Sequence, residues 1–395
     1  MARCVGSATC APVLPSGGTK VTAEAVLLAD PIAELRSPAG SLISLYLDRP
    51  SPGGMAALLT DLLRTLRGSA ERRDRLVQKS VRADSERIHG YAEQLESDGA
   101  PSYAIFASEI DDVFSLEALA HPVPNVASLG PRPYLRPLRA APRMLRAGVL
   151  VADRAEARVF VAAGDLVEEL GAPFIADIGK SNFGGFSGYE EQGVRARADE
   201  ASSRMWKEAG ASLLESHLDR PLDYLAIGGH GETIEEIGRT LHPYLARLYR
   251  ASFVANPHAL TLTTLRADLN DIAVEVRQHR QTALAGHVCD TAWSNGQAVL
   301  GLVPVLTACN AQAVDTLVVA GEFTKQGVIC NNCGHLSRAG SVCPICSATT
   351  FEIDDIVAAA MEAVIDAGGR VQQIAVASPL DVAGIGALTR FSVAV

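Results

Sequence analysis

Apolar positions recur along the chain with two periods, and the period switches several times. Ser41–Asp48 (SLISLYLD) is an apolar run of strand length, closed by the breaker Arg49-Pro50-Ser51-Pro52-Gly53-Gly54. Met55–Leu66 then places Leu58, Leu59, Leu62, Leu63 and Leu66 three and four apart, the spacing of one helix face. Glu71–Leu95 reads as a longer, heavily charged helix with Leu76, Ile88, Tyr91 and Leu95 as sparse apolar positions. Short strands at Tyr103–Ser108 and Val113–Leu119 complete a small α+β domain.

The pattern lapses between Pro122 and Pro142, where Pro124, Pro131, Pro133 and Pro137 exclude a continuous helix and favour an extended connector. A first domain boundary falls near Ala141. Ala147–Asp153 and Ala157–Ala163 then read as a hairpin, with Asp165–Leu170 as a third strand. The Gly-rich stretch Gly179–Gly193 precedes a helix over Val194–Leu218. Strands at Tyr224–Gly228 and Leu248–Val254 flank a helix at Thr233–Leu241, which makes a mixed α/β sheet.

A second boundary is set near Asn256-Pro257. Beyond it the spacing predicts helices at Leu265–Leu284 and Ala298–Ala308, the strand Thr316–Ala320, a Cys-bearing insert over 326–351, the helix Ile353–Ala367 and the strand Val371–Ala377. Without the insert this is a compact α/β/α domain. The expected domains are therefore 1–141, 142–256 and 257–395.

Composition narrows the class. The chain has 395 residues, 48% hydrophobic and 20% charged, which suits several packed domains rather than a disordered chain. Its net charge of −10 argues against an overall basic nucleic-acid binder but leaves room for local basic surfaces. No apolar run approaches the ~20 residues that span a bilayer. The start, broken by Ser, Thr, Pro and Gly, lacks the apolar core of a secretory signal. A reducing cytoplasm is the expected setting.

The strongest chemical signal is Cys330-Asn-Asn-Cys333, nine residues, then Cys343-Pro-Ile-Cys346. A two-residue gap lets two thiolates of one tight turn face the same ion, and two such turns supply the closed sulfur shell of a structural Zn²⁺. A dithiol switch is the alternative reading. A closed shell leaves no position for catalysis, so the metal would serve to fold the insert. Cys289 and Cys309 read as buried apolar fillers, and His335 as a neighbour of a shell already complete.

Two further features suit RNA. The loop Gly179–Tyr189 combines glycines, Lys180, Asn182 and the rings of Phe183, Phe186 and Tyr189 around Gly184-Gly185. Aromatic rings can stack on unpaired bases, while Arg195, Arg197, Arg204 and Lys207 can meet phosphates. A surface loop whose rings pack back on the domain is the plain alternative. In the connector, Arg132, Arg136, Arg139, Arg143, Arg146 and Arg154 share a stretch in which Asp153 is the only acid, a candidate RNA-backbone contact. A second basic cluster over 64–87 is diluted by acids and reads as a solvated helix face.

The enzyme reading is poor. Asp153 at a strand end could hold a metal in a nuclease, with Glu168, Glu169 and Asp177 as loosely placed companions. His230 and Glu232 sit in a turn with no identifiable nucleophile. Neither a Gly-x-Ser-x-Gly elbow nor a His-Glu-x-x-His helix is present.

The order of these features resembles the archaeal–eukaryotic release factor and Pelota superfamily, and more closely its bacterial branch of Balon-type ribosome-hibernation factors with their mycobacterial counterparts. The residues that carry the resemblance are Ser41–Asp48, Lys180–Tyr189, Val314–Glu322 (VDTLVVAGE) and Ser378–Arg390 (SPLDVAGIGALTR). It implies three domains shaped for the ribosomal A site: the first toward the decoding centre, an RNase H-like middle domain toward the peptidyl-transferase side, and a third toward the stalk. It also implies a zinc-ribbon insert in the third domain, contacts with rRNA and P-site tRNA, elongation factor Tu as a partner, and a monomer when free.

The departures matter. Release factors carry Gly-Gly-Gln in the middle-domain loop, whereas this chain has Gly184-Gly185-Phe186, and Gln192 is too far along to substitute. An Asn-Ile-Lys-Ser decoding motif is also missing from the first domain. The expectation is occupation of the A site without peptide release. A peptidyl-tRNA hydrolase or nuclease in ribosome rescue, and a zinc-ribbon adaptor that binds protein only, are the rivals.

Overall fold

The computed structural model describes residues 32–49, 54–119, 122–139, 144–164, 166–177 and 189–393, the side chains of 189–194 excepted. Contacts divide the chain into two compact units. One holds the described residues before Pro142 together with Val288–Gln373 and those from Leu380 onward; the other holds Pro142–His287 with Ile374–Pro379.

In the first unit, β1 (Leu42–Asp48) is followed by α1 (Met55–Ala70), α2 (Arg75–His89), α3 (Ala92–Asp98), β2 (Ser102–Ser108), β3 (Val113–Leu119) and β4 (Val126–Gly130). The sheet order is β3-β2-β1-β4, with every pairing antiparallel. One face of β1 and β2 (Ile43, Leu45, Leu47, Tyr103, Ile105) is buried beneath Leu59, Leu63 and Leu66 of α1 and Val81 and Ile88 of α2. The other face, with Tyr46, Ala104 and Phe106, is covered by Ile32 and by Leu135 and Leu138 of the connector. Burial on both faces explains why these strands read as unbroken apolar runs.

Two expectations for this region change. The charged stretch 71–95 is two helices, not one: Gly90, a weak helix former, caps α2, and the chain restarts at Tyr91. The connector also contains a strand, β4, paired to β1 from Leu42↔Gly130 to Tyr46↔Val126. Its prolines flank that strand and do not interrupt it, so the ladder keeps its donors. A short helix, α4 (Arg136–Arg139), follows.

The second unit begins with β5 (Arg146–Ala152), β6 (Glu156–Ala163), β7 (Leu166–Glu169) and β8 (Phe174–Ile175), then α5 (Tyr189–Asp219), β9 (Tyr224–Gly229), α6 (Gly231–Thr240), α7 (Pro243–Ala246), β10 (Tyr249–Val254) and α8 (Leu262–Trp293). The sheet runs β10-β9-β5-β6-β7. β5, β6 and β7 form an antiparallel meander, while β9 and β10 run parallel to β5. Counting the five main strands in chain order gives 3-2-1-4-5, the RNase H-like arrangement.

Met205, Trp206, Ala209 and Leu213 of α5 cover one face of this sheet. Leu265, Leu269, Ile272 and Val276 of α8 share a core with Val149, Val151 and Phe160 on the other. The packing of this unit thus continues past Pro257 and divides after His287.

In the remainder of the first unit come β11 (Ala298–Leu300), α9 (Leu302–Asn310), β12 (Val314–Ala320), β13 (Gly327–Cys330), β14 (Leu336–Ser337), β15 (Thr350–Ile353), α10 (Ile356–Asp366), β16 (Arg370–Ile374) and β17 (Ile385–Thr389). One sheet is ordered β11-β17-β12-β16, and the insert forms its own three strands, β14-β13-β15. The expected helix over 298–308 starts later, because Gly301 takes a left-handed φ of 84° and separates β11 from α9. Among the described residues no helix is long and apolar enough to cross a membrane.

Candidate metal centre and basic surfaces

The insert brings Cys330, Cys333, Cys343 and Cys346 together, with all four sulfurs within 4.8 Å of one another. The nearest approaches are Cys330 to Cys346 at 3.4 Å, Cys333 to Cys343 at 3.5 Å and Cys346 to Cys333 at 3.5 Å. A tetrahedral ion bonded to sulfur at about 2.3 Å needs sulfur pairs roughly 3.8 Å apart. The spacing therefore fits one closed shell with a small expansion.

The two turns are built alike. Gly334 N–H donates to the Cys330 carbonyl at 2.8 Å, and Ser347 N–H donates to the Cys343 carbonyl at 3.0 Å. Each turn has a left-handed residue just after its second cysteine, Gly334 at φ 75° and Ser347 at φ 58°. The Asn332 side chain, the Ala348 amide and the Cys330 sulfur lower the Cys346 thiol, whereas Cys333 of the same quartet is raised. His335 contributes its carbonyl to the Cys330 amide at 2.9 Å. Among the described residues this quartet is the one cluster of metal-type ligands, and it does not include His335. Cys289 and Cys309 are buried, as fillers should be; burial pushes the Cys309 thiol up to about 12.

The connector arginines require a correction. Arg136 is 6% exposed and donates to the Asp355 carboxylate at 2.9 Å and to the Phe323 carbonyl at 3.0 Å. Tyr134 donates to the same carboxylate oxygen at 3.0 Å, while the other oxygen caps α10 through the Val357 and Ala358 amides. Burial, and then Asp355, raises the Tyr134 phenol, so it stays a donor. Arg139 meets Glu362 with both carboxylate oxygens, at 3.3 and 3.4 Å. Desolvated and paired, Arg136 and Arg139 offer RNA no guanidinium. Arg132 is half-buried, and burial, then repulsion from Arg36, lowers its pKa.

The cations of α5 behave differently: Arg195, Arg197, Arg204 and Lys207 are exposed. Arg204 lies 3.7 Å from Glu200, one helical turn back. Lys180, Asn182, Phe183, Gly184, Gly185 and Phe186 lie outside the described residues, and of Tyr189 the backbone alone is described, at the start of α5.

Two of the carboxylates considered for catalysis, Asp153 and Glu169, have structural partners. Asp153 Oδ1 accepts the Ala155 and Glu156 amides at 2.7 Å each and so closes the β5–β6 hairpin. Glu169 is held by both edges of Arg158 at 2.7 Å. Sequence reasoning missed Tyr134, Asp355 and Glu362. The Asp354-Asp355 pair before an apolar helical run was a visible capping signal, but nothing local linked it to Arg136.

Residues 133–282 match the model of bacterial archaeo-eukaryotic release factor family 10, so the matched segment runs from the connector through the mixed sheet into α8. No curated protein matches. Among solved structures, the archaeal translation termination factor aRF1 is 16% identical, with 93% of this chain and 97% of that one covered at a TM-score of 0.25. Archaeoglobus fulgidus Pelota is also 16% identical, covering 74% and 80% at a TM-score of 0.36. A ribosome-bound archaeal Pelota, in a model with ABCE1, is 16% identical over 74% and 78% at 0.41. The family match thus covers the middle segment of the chain, residues 133–282, which is similar to the bacterial archaeo-eukaryotic release factors of that family.

Proposed function

We propose that this protein is a non-enzymatic translation factor that occupies the ribosomal A site and protects idle ribosomes, akin to the Balon-type hibernation factors. One observation carries the reading: the family match covers 133–282, the segment that holds the Gly-rich loop and the helix behind it. In that loop Gly184-Gly185-Phe186 stands where release factors place Gly-Gly-Gln. A phenyl ring can stack on a base but cannot supply the amide that organises water at a peptidyl ester.

In this reading Gly184–Tyr189 reaches rRNA or P-site tRNA, and the exposed cations of α5 support it against phosphates. Elongation factor Tu is the expected protein partner, the setting is the cytoplasm, and the free protein is a monomer. Zn²⁺ fills the cysteine quartet in a structural role and holds the insert together. One equivalent of zinc per chain, lost with Cys343→Ser, is the expected metal analysis.

The deciding experiment sediments ribosomes from starved and growing cells and follows this protein at low and high salt. It should travel with ribosomes from starved cells and come off as salt rises. Absence from every ribosomal fraction would sink the proposal. Hydrolysis of peptidyl-tRNA by the pure protein, lost on mutation of the loop, would replace it with a rescue enzyme.

A further inference from the structure

The second unit contains a cavity of about 230 Å³ between the sheet and α8. Its origin can be read from the strand register. One cross-strand row on the α8 face is Ala162–Ala147–Tyr224, and the next is Phe160–Val149–Ala226. Phe160 and Val149 fill the space under α8, whereas Ala162 and Ala147 leave it open beneath Ala273 of that helix. An apolar cavity of about 150 Å³ is already enough to hold benzene.

The cavity is not merely a packing fault, because polar groups converge on it. Tyr224 is 1% exposed and lines it, yet among the described residues its hydroxyl has no hydrogen-bond partner. That hydroxyl is not sealed in the core and can meet an acceptor placed in the cavity. Arg277 lines the same cavity, half-buried and without an ion pair among the described residues. It is close enough to act on the Tyr224 phenol. The second nearby cation, Arg280, faces Asp223 at 3.5 Å, which leaves Arg277 as the uncompensated charge.

We propose that this cavity binds a small organic acid with an apolar tail, its carboxylate held by Arg277 and Tyr224 and its tail lying against Ala147, Ala162 and Ala273. A guanidinium presents two parallel donors to a carboxylate, and a phenol supplies a third. The cavity volume exceeds what an aryl or short alkyl group needs. Its lining shares no residue with the cysteine quartet or with the residues proposed to meet RNA, so its test does not depend on ribosome binding.

The test uses the full chain with 3-phenylpropionate and hexanoate as probes, and 3-phenylpropanamide as the neutral control, followed by calorimetry and thermal shift. The acids should bind saturably and raise the melting temperature. The amide should bind about tenfold more weakly or worse, and Arg277→Gln should impose a similar loss on the acids alone. Tyr224→Phe should cost a few-fold. Ala273→Phe should fill the cavity and abolish binding of acids and amide together, with circular dichroism showing that the variant is folded. The proposal is overturned if neither acid binds at millimolar concentration, if the amide binds as well as the acid, or if Arg277→Gln binds the acids unchanged.

Discussion

Arg136 and Arg197 look alike in the sequence, each a cation in a locally basic stretch, yet they do opposite things. Arg136 is buried against Asp355, whereas Arg197 is exposed on α5. The neighbours set the difference. Arg136 and Arg139 sit among Tyr134, Leu135, Pro137 and Leu138, and Leu135 and Leu138 belong to a core that drags the guanidinium groups inward with them. Arg197 and Arg204 are spaced along a long helix whose buried side is supplied by Met205, Trp206, Ala209 and Leu213. A cation between buried apolar residues on a short helix has nowhere to go but inward, and it survives there only if a carboxylate meets it.

The comparison breaks hardest at Asp355. Asp355→Asn keeps an oxygen for the helix cap but leaves Arg136 as an unpaired buried charge, so stability measured by urea unfolding should fall by about 3 to 5 kcal/mol. Pairing it with Arg136→Met should recover much of that loss, since the stranded charge is then gone. A double variant as unstable as the single one would mean that the ion pair is not what Asp355 contributes. Arg139→Ala comes next. Its Glu362 partner is nearer the surface, with 14% of the side chain exposed, so a loss of about 1 to 3 kcal/mol is expected.

How far the sequence could carry this distinction is instructive. Strand and helix periods placed most of the elements, and the two-residue gaps of the cysteine turns placed the metal-type site, because both signals are local. The fate of Arg136 is not local: its carboxylate lies 219 positions away, and that of Arg139 lies 223 away. Counting acids near the connector found only Asp153 and so suggested a free basic surface. The split at Gly90 and the strand hidden among the connector prolines were also within reach, since in each case the flanking residues mark the breaks. The cavity beneath α8 was not legible, because Ala147, Ala162 and Ala273 become neighbours only through register and packing.

The smallest effect on stability should come from the other side of the comparison, and it is the one that speaks to function. Reversing Arg197, Arg204 and Lys207 to Glu touches only exposed side chains. Each change should move unfolding free energy by no more than about 0.5 kcal/mol, the Arg204–Glu200 pair included. If α5 backs the loop against RNA, the same changes should weaken ribosome binding at low salt. They should also flatten its logarithmic dependence on salt by roughly 0.7 to 0.9 for each phosphate that is no longer neutralised. Arg139→Ala, assayed well below its own unfolding midpoint, should leave that slope unchanged. Equal slopes for wild type and the α5 reversal would leave the exposed cations as solvated surface, and RNA binding would then have to rest on the loop alone. An altered slope in Arg139→Ala would mean that the connector also reaches RNA, despite the carboxylate that holds it.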